Sequence, residues 1–205
     1  MDRRKRRTRS AIQKACVELI REKGFDNMSI LDIAERADIN RATFYLHFLD
    51  KYDMIYQFEQ EIMDEIEANF IDDFSPSAST EEIIRSRYEP LVKIFTIFQD
   101  KRDILEILFQ TKGVMTIQNR FHDITLKMFD AKNAKVHLHS SVQTPELFIT
   151  VIVSTIIGIS HYWINNNDTK TPESLAIDLI NIIINGPARA AGLIQGETID
   201  VKALI

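Results

Sequence analysis

With 205 residues, one cysteine and a formal net charge of −5, the chain can bury one or two cores and cannot be a disulfide-stapled scaffold. Hydrophobic residues make up 45% and charged residues 27%, the balance of a soluble globular protein rather than a disordered or membrane-embedded one. The charge is uneven: Lys and Arg crowd residues 3–9, the first 51 residues are net positive, and the rest is net negative. A basic head on an acidic body fits a polyanion-binding module joined to something else, although charge scatter with one basic tail fits too.

Helical periodicity dominates, which predicts an all-α fold of about nine helices. Ile12, Ala15, Cys16, Leu19 and Ile20 form one apolar face of a first helix, with Thr8 as its cap and Gly24 as its left-handed stop. Cys16, in the middle of that face, reads as a core thiol rather than a nucleophile. Ser29 and Asp32 have capping-box spacing at the start of a short second helix. Asp38-Ile39-Asn40 breaks it, Asn40 can cap a third helix over 41–47, and Asp50 can cap a fourth. The fourth carries the stripe Ile55, Phe58, Ile62, Ile66 and Phe70, with an acidic set that reads as its solvated face.

SPSAS at 75–79 is a linker. Helices are predicted over about 81–99, 103–111 and 114–131, then a polar loop at 132–143. Pro145 and Pro172 stand at the first positions of two more helices, about 144–165 and 172–185, the second stopped by Gly186-Pro187. The tail, 188–205, shows no clear pattern. Leu147 to Ile159 is the most apolar run, but its 13 residues are interrupted by Thr and Ser and are too short for a membrane span. No signal-peptide core follows the basic start, so a cytoplasmic location is expected, with no membrane partner.

The short second and third helices, joined by a tight break inside a basic unit, have the form of a helix-turn-helix. At about 100° per residue, Phe44 and Phe48 share an inward face, and Ala42, Thr43 and Leu46 point away from it. Small and hydrogen-bonding residues suit base edges in a major groove, while Tyr45, His47 and Lys51 on the flanks suit phosphates. Arg41 can serve either purpose, and Asn40 at the cap is counted with the same surface. A solvated amphipathic helix with a half-buried Tyr and His is the competing reading.

Residues 8–54 resemble the DNA-binding domain of the TetR family of bacterial transcriptional regulators. The carriers are Lys23-Gly24-Phe25, then Ser29 with Ile33-Ala34, then Thr43-Phe44-Tyr45, His47-Phe48 and Lys51. The resemblance implies DNA contacts from Ser29, Thr43, Tyr45, His47 and Lys51. Two positions that are commonly Gly in the family are Asp38 and Ala42 here. The basic residues Arg3 to Arg7 are similar to a flexible extension that some members lay along a groove; a disordered tail is the alternative.

The resemblance further implies a DNA-binding domain over 1–51 and a ligand-binding and dimerisation domain over 52–205. Residues 161–180, a Trp, a polar loop and a Pro-started helix, resemble the junction of the family's last two long helices, most like the Firmicutes type. Those helices would pair two copies into a homodimer that reads a palindromic operator in double-stranded DNA. Phe98, Phe109, Phe121, His122 and Tyr162 are the candidates for a small-molecule effector pocket, although aromatics at helical spacing also serve as core. His137 and His139 alone do not make a metal site, so no metal or cofactor is expected. No nucleophile–base pairing or phosphate loop is legible, which argues against an enzyme. The expected activity is a repressor released by a small molecule; a co-activator or adaptor acting through a protein partner is the alternative.

Overall fold

The computed structural model describes residues 3–69, 79–110, 117–126, 145–166 and 169–205. Among them there are ten α-helices and no strand. They are α1 (Arg3–Lys23), α2 (Ile30–Arg36), α3 (Arg41–Tyr45), α4 (Lys51–Asn69), α5 (Thr80–Asp100), α6 (Arg102–Gln110), α7 (117–126), α8 (Pro145–Asn165), α9 (Pro172–Asn185) and α10 (Pro187–Ala190). A short 3₁₀ turn, Lys202–Leu204, lies near the end. Phe70, the linker up to 78, Phe129 and the 132–143 loop with His137 and His139 lie outside the described residues.

Packing divides the chain into two compact units, Met1–Ile62 with Lys101–Val114, and Met63–Asp100 with Met115–Ile205. In the first, α1 lies on α2 and α6, and α2 on α3. The spacing read from the sequence is the buried face of α1: Ile12, Ala15, Cys16, Leu19 and Ile20, with Val17 added. Gly24 ends the helix at φ +78°, its N–H bonded to the Ile20 carbonyl at 2.9 Å. The start differs from expectation. Thr8 is not a cap, because the helix already runs from Arg3, and the Thr8 hydroxyl donates back to the Arg4 carbonyl at 3.2 Å. The basic residues 3–7 are therefore the opening turns of α1 rather than a loose arm.

The second unit gathers α5, α7, α8, α9 and α10, with α5 lying along α9. Trp163 is fully buried, meets the Phe95 ring edge-on at 6.3 Å, and donates its indole N–H to the Lys170 carbonyl at 3.1 Å. Thr171 caps α9, Pro172 sits in its first turn, and Gly186 at φ +75° stops it. Pro187 then starts α10, a short helix that the sequence pattern missed. The tail is tied down beyond it: the Asn185 amide brackets the Ile199 backbone, donating to its carbonyl at 3.1 Å and accepting from its N–H at 2.8 Å. Val201 is buried, and the 3₁₀ turn rests on α5.

Candidate nucleic-acid interface

Local hydrogen bonding fixes the helix-turn-helix. Ser29 and Asp32 make a complete capping box: the Asp32 N–H donates to Ser29 Oγ at 3.2 Å and the Ser29 N–H to the Asp32 carboxylate at 2.7 Å. Lys23 pairs with the same carboxylate at 2.8 Å. Lys23 first, and then the Ser29 donors, hold the Asp32 carboxyl well below the ordinary carboxylate range. The turn passes through Asp38 at φ +52°, where an acidic side chain replaces the usual Gly at tolerable cost. Asn40 caps α3, accepting from the Ala42 N–H at 2.8 Å. The helix is shorter than 41–47: it ends at Tyr45, and Leu46 and His47 form the turn that follows.

The orientation of α3 agrees with the angular argument. Phe44 and Phe48 are buried, their rings 5.5 Å apart, and Phe58 closes against Phe48 at 5.5 Å. Arg41, Ala42, Tyr45 and Leu46 are exposed, with Leu46 79% so, and Thr43 and His47 are half-buried. The Arg41 guanidinium donates to the Tyr45 hydroxyl at 3.1 Å and lies 5.6 Å from that ring centroid, so the two side chains stand together on the outer face. Ser29 is exposed as well, its hydroxyl turned to the Asp32 carboxylate at 2.6 Å.

Lys51 is placed differently from the other candidates. Its ammonium donates to three backbone carbonyls, Phe25, Asp26 and Met28, each at 3.0 Å, and lies 4.8 Å from the Phe25 ring centroid. An ammonium has three donors, so Lys51 clamps the turn between α1 and α2, and meeting a phosphate requires giving up one of those bonds.

Sequence reasoning missed Arg9, counting it with the basic start. Its guanidinium donates to Gln57 at 3.0 Å and to Glu61, and lies 4.6 Å from the Phe48 ring centroid. Gln57 in turn donates to Asp53 at 2.9 Å, and the same carboxylate accepts from the Leu49 N–H at 2.8 Å. This chain ties α1 to the segment just after α3. The available signal was position: Arg9 lies three residues before Ile12, on the buried face of α1. Arg36 makes a second tie, donating to Glu22 at 2.8 Å from both terminal nitrogens and to Glu18 at 3.2 Å. Burial pushes the Cys16 thiol up to about 12, so it is a core side chain.

The five pocket candidates are divided between the two units. Phe109 belongs to the first unit, and Phe98, Phe121, His122 and Tyr162 belong to the second. Phe98 and Phe121 are fully buried packing residues. His122 shares a hydrogen bond of 3.3 Å with the Thr150 hydroxyl. Tyr162, expected to line an interior, is 61% exposed, because it lies on the outer stripe of α8 while its neighbour Trp163 takes the inner one. Among the described residues no group of His, Cys, Asp and Glu is arranged to hold a metal.

The regular structure among the described residues is all helical, and the capped helix-turn-helix within it has the form found in DNA-binding regulators. Residues 12–57 match the profile of bacterial regulatory proteins of the tetR family, and residues 86–185 match that of a transcriptional regulator C-terminal region. The chain belongs to the TetR family of transcriptional regulators. It is 25% identical over 184 residues to an uncharacterized HTH-type transcriptional regulator, YxbF of Bacillus subtilis, covering 89% of this chain and 46% of that protein. The chain thus spans about half the length of this curated relative. Among solved structures it resembles NalD of Pseudomonas aeruginosa, the secondary repressor of the MexAB-OprM multidrug efflux pump, with TM-score 0.64 and 22% identity over 90% of this chain and 98% of that one. It also resembles DhaS, a dihydroxyacetone kinase operon activator, with TM-score 0.57 and 17% identity over 87% and 94% of the two chains.

Proposed function

We propose that the chain is a homodimeric repressor that holds a palindromic operator and releases it when a small molecule binds. Residues 1–51 are its DNA-binding domain, and 52–205 its effector-binding and dimerisation domain. The observation that carries the DNA half is the orientation of α3, with Phe44 and Phe48 inward and Arg41, Ala42, Thr43, Tyr45, Leu46 and His47 on or beside the free face. Ala42 and Leu46 suit thymine methyls, Thr43 a base edge, and Arg41, Tyr45 and His47 phosphates. Ser29 and Asn40 flank that face at two helix caps.

Dimerisation is supported by α8. Glu146–Asn165 is apolar enough to pass for a membrane span, with mean hydropathy 1.8, yet only 39% of that stretch is buried. Leu147, Val151, Gly158 and Tyr162 fall on one exposed stripe, with Phe148 beside it. A second copy laid on this stripe and on α9 would bury it, and a palindromic operator would ask for two recognition helices one DNA turn, about 34–36 Å, apart. The repressor reading takes NalD, itself a repressor, as its precedent; DhaS, an activator of similar fold, is the precedent for the opposite sign. Release would be a shift between two spacings of the heads, driven by an effector that prefers the unfit one. A cytoplasmic location accompanies this role.

The adaptor alternative draws on two exposed leucines, Leu46 at 79% and Leu49 at 80%, which a protein partner could cover. Fluorescence anisotropy on tiled fragments from upstream of the chain's own gene, at several salt concentrations, separates the two. Tight, saturable binding centred on a palindrome, with two or four chains per site, is the expected result. Weak binding, equal on all fragments and abolished by salt, leaves only the electrostatic term and favours the adaptor.

A further inference from the structure

We infer that His47 meets a phosphate as a neutral imidazole with its proton on Nε2, while Nδ1 is kept as a buried, bare lone pair. The inference rests on the DNA-binding reading of α3 for the phosphate, and on geometry for the tautomer. His47 is half-buried, and its Nδ1 is buried with no hydrogen-bond partner. The charged groups that bear on the ring from α1 are Arg9 and Lys5. Arg9 is not free to swing away, being held by Gln57 and Glu61 of α4 and stacked on Phe48, whose ring lies 6.2 Å from the imidazole.

A proton on Nδ1 would be a buried donor without an acceptor, in the field of two cations. A lone pair there costs less and is attracted by the same charges. The imidazolium needs both protons and is disfavoured by the same two cations. Burial, then Arg9, then Lys5 hold His47 below its ordinary value, in agreement. The remaining proton sits on Nε2, the nitrogen left to face outward. Arg9 is thus a positioning residue: it carries a positive charge inside the interface yet acts by fixing which nitrogen of His47 donates.

The test has a readout that does not need DNA. Long-range ¹⁵N–¹H correlation of the imidazole rings at pH 7.5, assigned with His47→Gln, should show the Nε2–H tautomer. An Nδ1–H tautomer or an imidazolium overturns the inference. Lys5→Gln, at an exposed position that leaves the fold intact, and Arg9→Met should each raise the His47 titration midpoint; no movement in either overturns the role of the α1 cations. On an operator, Gln at 47 places its amide N–H near the Nε2 position, and Asn places it near Nδ1. His47→Gln should keep affinity within about threefold, while His47→Asn and His47→Ala should lose about tenfold or more. Equal losses in Gln and Asn variants of native helicity overturn the Nε2 contact. If the wild-type protein binds no operator, the DNA reading fails, and the nitrogen spectrum alone still decides the tautomer.

Discussion

Among the described residues, the outer face of α3 and the outer face of α8 are both left uncovered, and they are built from opposite chemistry. Around α3 the apolar residues turn inward as Phe44 and Phe48, and the surface offers guanidinium, phenol, hydroxyl and imidazole groups. Along α8 the outward stripe is Leu147, Val151, Ser154, Gly158 and Tyr162, with no Asp, Glu, Lys or Arg between Leu147 and Asn165. A polar face that keeps its hydration is stable in water without a partner; an apolar one of this length is not at rest until covered. On the proposed function, the contrast sets a reversible DNA contact against a pairing of copies that covers apolar surface.

Four experiments can break or sharpen this contrast. The largest effect is expected from Phe44→Ala, which empties a fully buried site at the root of the polar face. It should cost about 3–5 kcal/mol in urea unfolding; a cost under about 1 kcal/mol would mean that α3 is not anchored through this ring. Val151→Arg comes next, placing a charge in the middle of the α8 stripe. Sedimentation should show the dimer weakened by about 100-fold or more with helicity unchanged, and a dimer of native strength would move the interface elsewhere.

A smaller effect divides Arg41 from Lys51. Arg41→Ala should reduce the magnitude of the slope of log affinity against log salt by about 0.9 for one lost phosphate contact. Lys51→Met should leave that slope unchanged and lower thermal stability instead, since its ammonium is committed to three carbonyls. A reduced slope for Lys51→Met would show that DNA pulls it from the turn. The smallest effect concerns pH. Asp32 has a folded value below the ordinary carboxylate value, so its contribution to stability is complete above about pH 4 and drains as pH falls below that toward the folded value. The stability gap between wild type and Asp32→Asn should therefore be widest near neutrality and narrow in acid; a gap constant down to pH 2 would rule out the capping charge as its source.

What was legible in the sequence was what sequence spacing alone can set. The capping box at Ser29 and Asp32, the Asn40 cap, the turn at Asp38 and the inward pair Phe44 and Phe48 each involve residues at most four apart. What was not legible is long-range. Arg9 reaches Gln57 and Glu61, Lys51 reaches back to the 25–28 turn, and Arg21 reaches Asp103 and Glu106 on α6, which places that late helix with the first unit. A basic residue in a sequence does not say whether its charge faces a phosphate or a carbonyl. Lys51, a candidate for DNA contact, and Arg9, which was not one, both hold the scaffold. The start of α1 was misjudged for a related reason: a run of five basic residues looks self-repelling, yet Arg and Lys are good helix formers and simply extend the helix that follows.

The lone thiol gives this protein a clock. Cys16 is fully buried in the face of α1 and its pKa is pushed up to about 12, so an alkylating reagent at neutral pH finds nothing to attack while the first unit is closed. Every alkylated molecule has opened at least once. Because the chain has no other cysteine, the mass gained per unit time counts those openings directly, and the slowing of that gain when DNA or an effector is added measures how much each one stabilises the first unit.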